Sequence, residues 1–456
     1  MTRHHGAGSG VPRARHHALL SAILAVIVGL SAAIYVGVDA GDGGRRRENT
    51  LASSRTGPHS AAAASTGVWV GSWAAAPVGG EPLTGTDGTA ERTVRDVVHT
   101  SVGGTSARIT LSNLHGTGPL TVGAATLAVA AADDGPAADP GSLRRLTFGG
   151  RPTVTIPAGG QAVSDAAALA VPRDTDVLVS LYTPTSAGPV TFHRRAQQTS
   201  YVAEGEHTGD VTGAPYTGRI AHWRYLTALD VLTQEADGTV VAFGDSLTDG
   251  ATSTPGANRR WPDVLSDRLR ASLSDGDDDA PRYGVVNAGI SGNRVLTDGP
   301  GRPANNPSAL DRFDRDVLGR PAVKVVVIDL GVNDILRSRN TIDPDAVLDG
   351  LRELVRRAHA HGIKAVGTTL LPFRGHRGDT DAREDVRQRI NAAIRSGSVY
   401  DTVVDVDRAM HDPYDPRRLR SEYDSGDHLH PSDRGYRKMA ELIGWGQLSG
   451  AGRTEL

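Results

Sequence analysis

Val240-Val241-Ala242-Phe243 runs without a polar residue into Gly244-Asp245-Ser246. Four apolar residues, two of them β-branched, fit a strand buried on both faces. A serine at the carboxyl end of a first parallel strand sits where open α/β sheets place their ligands. If a helix follows, its first N–H groups point back at whatever Ser246 attacks. That arrangement suits nucleophilic acyl transfer, provided the chain supplies a base and a group to orient it. Asp427-His428-Leu429-His430-Pro431 offers both near the C-terminus.

The rest of the second half repeats the pattern. Candidate strands are Thr239–Phe243, Gly284–Asn287, Val323–Leu330, Lys364–Leu371 and Thr402–Val406, with helical segments between them. The clearest helix starts at Asp343-Pro344, a cap followed by a first-turn proline. Val347, Leu351, Leu354, Val355 and Ala358 form its apolar stripe, and Gly362 ends it. A last helix puts Tyr436, Met439, Ala440 and Ile443 on one face. Strands alternating with helices imply an α/β domain whose parallel sheet is covered on both sides. We place it at residues 238–446.

Residues 68–233 read differently. Ala107, Ile109 and Leu111 alternate with polar neighbours, as do Val177, Val179 and Leu181, and Gly and Pro punctuate the intervals. Short strands with frequent turn signals suggest a β-sandwich, jelly-roll-like domain. Trp69, Trp73, His193, Tyr201 and Trp223 are the residues there from which a sugar-binding surface could be built, although core or interface packing is the commoner fate of such side chains.

Ahead of both lies Ala18 to Val38, 21 residues without a charge. That length matches a bilayer span and exceeds a usual signal-peptide apolar region. Arg3, Arg13 and Arg15 precede it and Arg45 to Arg47 follow, so charge asymmetry decides orientation only weakly. We expect residues 1–38 to be a cytoplasmic tail with a membrane anchor, or a signal. The rest of the chain is then exported, either held at the cell membrane with an extracellular catalytic domain or secreted if the segment is cleaved. Residues 39–67, rich in Gly, Arg, Ser, Ala and Thr, read as a flexible linker.

Composition narrows the chemistry. A net charge of -3 argues against a nucleic-acid partner. The absence of Cys excludes disulfides, thiolate metal sites and Cys nucleophiles. Neither a metal nor a cofactor is expected. Oligomeric state is not legible.

Four blocks carry the candidate chemistry. Gly244-Asp245-Ser246 alone is also ordinary turn chemistry, and its position after a buried strand gives it weight. In Asn287-Ala288-Gly289-Ile290-Ser291-Gly292-Asn293 a strand ends in a glycine loop, where a backbone N–H can approach a ligand with no Cβ in the way. Both glycines serve equally well as turn formers. Val325 to Leu330 leads into Gly331-Val332-Asn333-Asp334, where the Asn333 amide can donate to a developing oxyanion or merely cap a helix. In Asp427-x-x-His430 a carboxylate can hold one ring nitrogen while the other faces the serine. Asp424 and His428 form a competing pair.

With the four blocks in this order, residues 238–446 resemble the SGNH hydrolases, also called the GDSL esterase/lipase family, in the two-domain bacterial type with an N-terminal β domain. Gly-Asp-Ser-Leu at 244–247 matches the family name in full. The resemblance implies a flavodoxin-like three-layer α/β/α fold with a five-stranded parallel sheet. It implies catalytic Ser246, Asp427 and His430. It also implies an oxyanion hole formed by the backbone N–H groups of Ser246 and Gly292 and the side chain of Asn333, Gly292 fitting the family spacing better than Gly289. The expected activity is carboxylic ester hydrolysis through an acyl-enzyme, on short acyl groups of a carbohydrate or small molecule.

Three rivals share these residues. A non-catalytic glycan-binding surface protein would keep the fold and lose the chemistry. A lipase or phospholipase would need a sizeable apolar acyl site. An acyltransferase would use the same site with another acceptor. Arg259, Arg260, Trp261, Arg294 and Arg374 are equally candidates for pocket, packing or surface.

Overall fold

A computed structural model describes residues 67–84, 89–133, 135–339 and 342–450. The charge-free run at 18–38 and nearly all of the expected linker lie outside the described residues. Among the described residues no helix is long and apolar enough to cross a membrane.

The second half forms five parallel strands: β1 (Gly238–Gly244), β2 (Tyr283–Gly289), β3 (Val323–Asp329), β4 (Lys364–Thr368) and β5 (Thr402–Val404). They are ordered 2-1-3-4-5, a doubly wound order. Every residue of β1 is buried, and alternate side chains enter different cores. Val241 and Phe243 join the helix Pro344–His359 and the helix Asp381–Arg395 on one face. Val240 and Ala242 join Trp261–Ser274 and Asp433–Glu441 on the other. Burial on both faces is why these strands read as unbroken apolar runs rather than alternating ones. Asp343 caps the first of these helices by accepting from the Asp345 N–H, and the expected stripe from Val347 to Ala358 is buried.

Strand order also locates the site. The chain leaves β1 toward opposite edges, to β2 on one side and β3 on the other. The crevice at this switch point lies beyond the carboxyl ends of β1, β2 and β3. Ser246, Gly292 and Asn333 follow those three ends.

Among the described residues the first half contains two large antiparallel sheets and two small two-stranded ones. One large sheet joins Val68–Ala74, Leu226–Thr233, Gly104–Ser112, Gln161–Val163 and Ala167–Val171. The other large sheet joins Gly218–Ile220, Ser200–Glu204, Arg92–His99, Asp176–Thr183, Ala124–Val129 and Arg144–Arg145. Val70, Ile109 and Leu229 of the first share a core with Val98, Val179 and Leu127 of the second. The alternation at 107–111 and 177–181 arises because each strand turns one face to that shared core.

The two halves, as described from residue 67 on, belong to one compact unit. The strand Val68–Ala74 lies along β2, and the approach is close enough to require glycine. A Cβ on Gly284 would meet the Gly71 carbonyl at 2.3 Å, and one on Gly71 would meet Val286 at 2.8 Å. The Gly71 N–H donates to Thr239 Oγ1 at 2.9 Å.

The aromatic residues of the first half do not form a sugar-binding surface. Trp73, His193, Tyr201 and Trp223 are buried, and the half-buried Trp69 lies under the Arg108 guanidinium. Trp73 packs edge-on against Trp223 at 4.8 Å. The commoner fate of such residues, core packing, applies to these four.

Candidate active site

The turn after β1 has little freedom. A Cβ on Gly244 would sit 2.0 Å from Thr248 Oγ1, so only glycine fits there. Asp245 caps the next turn by accepting from the Leu247 N–H at 3.0 Å. The helix expected after Ser246 is only a single turn, Ser246–Asp249, ended by Gly250 at φ 86°. Gly250 takes that left-handed conformation at no steric cost. The Ser246 side chain therefore stands at the rim of the sheet.

His430 Nε2 lies 2.8 Å from Ser246 Oγ, and His430 Nδ1 lies 2.6 Å from Asp427 Oδ2. The other Asp427 oxygen accepts the N–H groups of His430 and Leu429. Partial burial pushes the Asp427 carboxyl up, but the His430 and Leu429 donors and the His430 ring outweigh it, leaving it below the usual carboxylate range. An ionised Asp427 keeps the imidazole in the tautomer whose free nitrogen faces the serine. The rival pair also forms, His428 Nδ1 lying 2.7 Å from Asp424 Oδ2. Of the two, only His430 has a bond to Ser246. Thr252 Oγ1 donates to the Pro431 carbonyl at 2.8 Å, and the Tyr436 hydroxyl donates to the Ala251 carbonyl. These bonds stitch the C-terminal segment to the chain just past Ser246.

The glycine loop separates its two candidates. The Gly289 N–H donates to Asn287 Oδ1, and a Cβ there would meet the Asp249 backbone at 2.3 Å. Gly289 is thus a packing residue. Gly292, at φ +79°, has an N–H with no acceptor among the described residues, as does Ser246. Asn333 is buried, donates to Asp245 Oδ2 at 2.9 Å, and accepts from Arg337 Nε at 2.9 Å. Those two bonds fix which way the amide points and leave its second N–H for a ligand. Burial and the nearby Asp329 raise the Asp245 carboxyl well above the usual range, and burial lifts Asp329 to about 6.

Residues 242–438 match the family described as GDSL-like lipase/acylhydrolase. That segment is a GDSL-like lipase/acylhydrolase domain. The GDSL domain is accordingly a carboxylic ester hydrolase. No curated protein matches the chain. Solved structures similar to it include a GDSL-like lipase from Bacteroides thetaiotaomicron, 23% identical over 45% of this chain and 85% of that one, with a TM-score of 0.32. An alpha/beta hydrolase enzyme from the metagenome of Lake Arreo is 24% identical over 47% and 98%, with a TM-score of 0.34. A carbohydrate acetylesterase from Sinorhizobium meliloti is 16% identical over 44% and 94%, with a TM-score of 0.34.

Two supports of the GDSL domain's site were not legible in the sequence. Arg312 is wholly buried and donates to the Gly244 carbonyl, the Ala288 carbonyl and Asn293 Oδ1. One guanidinium thus ties the end of β1 to the glycine loop. The second support comes from the antiparallel half. His193 lies 2.9 Å from Asp249 Oδ1, and the other Asp249 oxygen accepts from the backbone N–H and the hydroxyl of Ser291. Residues far apart in sequence leave no spacing signature, so nothing in the sequence pointed to this contact.

The other candidate loop residues divide by role. Arg260 is buried against Asp263, and Trp261 is buried with its indole N–H 3.3 Å from Thr248 Oγ1. Arg259 and Arg374 pair with Asp433 and Asp415 in solvent-exposed positions. Arg294 instead lines a cavity of about 560 Å³ that also reaches Gly292.

Proposed function

We propose that the GDSL domain hydrolyses short-chain carboxylic esters through an acyl-enzyme on Ser246. The supporting observation is the unbroken relay from Asp427 through His430 to the Ser246 hydroxyl, with steps of 2.6 and 2.8 Å. Ser246 attacks the ester carbonyl as His430 takes its proton. Asp427 holds the tautomer and stabilises the imidazolium. The N–H groups of Ser246 and Gly292 and the free N–H of Asn333 receive the oxyanion. His430 then protonates the leaving alcohol and activates the water that frees the enzyme. Asp427, held below the usual carboxylate range, stays ionised at mildly acidic pH and so keeps orienting the base there.

Among the described residues, the cavity that reaches Gly292 offers no apolar channel for a long acyl chain. Arg, Gly, Ser, Asn and Thr dominate its lining, with few large apolar side chains. A long acyl chain would need an apolar channel. Wild-type enzyme is therefore expected to turn over p-nitrophenyl acetate with a kcat/KM at least about tenfold above the laurate ester. A preference for laurate would favour a lipase instead.

We further propose that the enzyme works outside the cytoplasm, from the charge-free run at 18–38. Protease added to intact cells should digest the catalytic domain. Protection of that domain would overturn the assignment.

A further inference from the structure

The cavity beside Gly292 is shared by both halves of the described chain. Arg194 and Arg195 come from the antiparallel half, Arg294 and Arg337 from the GDSL domain. No carboxylate lies within ion-pair distance of any of the four among the described residues, although Asp334 is near enough to feel the Arg294 charge. Asp249 is the one acidic residue in the lining, and its oxygens are taken by His193 and Ser291. Four like charges converging on one cavity repel each other, in a chain whose net charge is -3. Elsewhere in this protein arginines are commonly paired with Asp or Glu, as at Arg260–Asp263 and Arg387–Glu384.

The cluster reaches the reacting centre. A Cβ on Gly292 would lie 2.7 Å from Arg337 Nη2, and the same guanidinium holds Asn333 through its Nε. Arg337 therefore presents its outer nitrogens beside two of the three oxyanion donors. Arg294 has one nitrogen on the Asp298 carbonyl and further donors to offer. Arg194 and Arg195 are exposed on the facing wall. Guanidinium forks match the two oxygens of a carboxylate or phosphate.

We propose that the natural ester carries an anionic substituent, a carboxylate or a phosphate, and that this cleft binds it. The proposal rests on the esterase reading above and narrows its substrate class. The antiparallel half then has a role in specificity, supplying Arg194 and Arg195 to a site whose chemistry lies in the other half.

The test compares kcat/KM for matched pairs of acetyl esters. Acetylated oligogalacturonide is set against acetylated xylo-oligosaccharide for the carboxylate, and acetylated glycerol phosphate against monoacetin for the phosphate. At low salt one charged member should be preferred by about tenfold or more, and the preference should shrink as ionic strength rises. In the Arg194→Gln/Arg195→Gln double variant the charged-to-neutral ratio should fall toward one. Equal rates within both pairs, or a ratio that survives the double substitution, would overturn the proposal. If the wild type hydrolyses none of these esters and not p-nitrophenyl acetate either, the esterase reading fails. Calorimetric titration of Ser246→Ala enzyme with oligogalacturonide and with inorganic phosphate decides the anion site separately. Binding of one of them that is lost with Arg194 and Arg195 supports it, and binding of neither overturns it.

Discussion

Ser246→Ala enzyme folds normally and hydrolyses p-nitrophenyl acetate about 10⁶-fold more slowly than wild type. The magnitude is that of removing the nucleophile from a serine-histidine-aspartate unit whose members act together. The fold survives because the hydroxyl contributes no structural bond besides the one to His430 Nε2. Asp245 still caps the turn, and Gly244 still packs on Thr248. Unchanged thermal unfolding together with lost turnover assigns the loss to chemistry. Substantial turnover in the variant would remove Ser246 from the mechanism.

His193→Ala has the second largest effect, and it appears in stability and rate together. Both ring nitrogens of His193 face acceptors, Nδ1 the Ala76 carbonyl at 2.7 Å and Nε2 Asp249 at 2.9 Å. Two acceptors demand two N–H groups, so the buried ring is an imidazolium paired with a buried carboxylate. Burial alone would lower its pKa, but the Asp249 charge and hydrogen bond raise it above the ordinary imidazole value. Removing the ring strands the Asp249 charge, at a cost of about 3–5 kcal/mol. The same Asp249 holds Ser291, the neighbour of Gly292, through its other oxygen, so a shift of the stranded carboxylate should lower kcat along with stability. Gln197 from the same segment keeps its bond to the Gly250 carbonyl, which holds the two halves together in the variant.

The pH dependence of that loss has a definite sign. A folded-state pKa raised above the unfolded value gives stability that is full below about pH 6.5 and declines as pH rises through the folded value. The gap in unfolding free energy between wild type and His193→Gln should therefore narrow from mildly acidic to alkaline pH. A gap that widens over that range would mean His193 is neutral in the fold.

The parallel sheet was legible because its strands are buried on both faces. Val240–Phe243 and Val325–Ile328 could hardly be anything else once turn residues bounded them. Three of the four catalytic blocks were legible because each lies directly after a strand, so short sequence distance stands in for spatial position; the fourth, at 427–430, lies just before the helix Asp433–Glu441. The family resemblance chose Asp427–His430 over Asp424–His428; the residues alone left both open, since both pairs form and differ in which ring reaches Ser246. Gly289 and Gly292 likewise look alike from the residues alone; the family spacing favoured Gly292, and the partner of each N–H separates them.

What stayed hidden depends on pairing between distant segments. Leu226–Thr233 inserts between Val68–Ala74 and Gly104–Ser112, and no local pattern encodes that order. His193 and Asp249 meet across the two halves for the same reason. Trp73 and Trp223 left binding and core packing both open in sequence, with packing the commoner fate, and tertiary packing put them in the core. The long charge-free run at 18–38 is read from its sequence alone.

The most direct test of the account is to catch the intermediate. Enzyme mixed with excess p-nitrophenyl acetate, quenched with acid before steady state and digested, should carry one acetyl group, on the peptide containing Ser246. Ester turnover with the acetyl group on another residue, or on none, would contradict it.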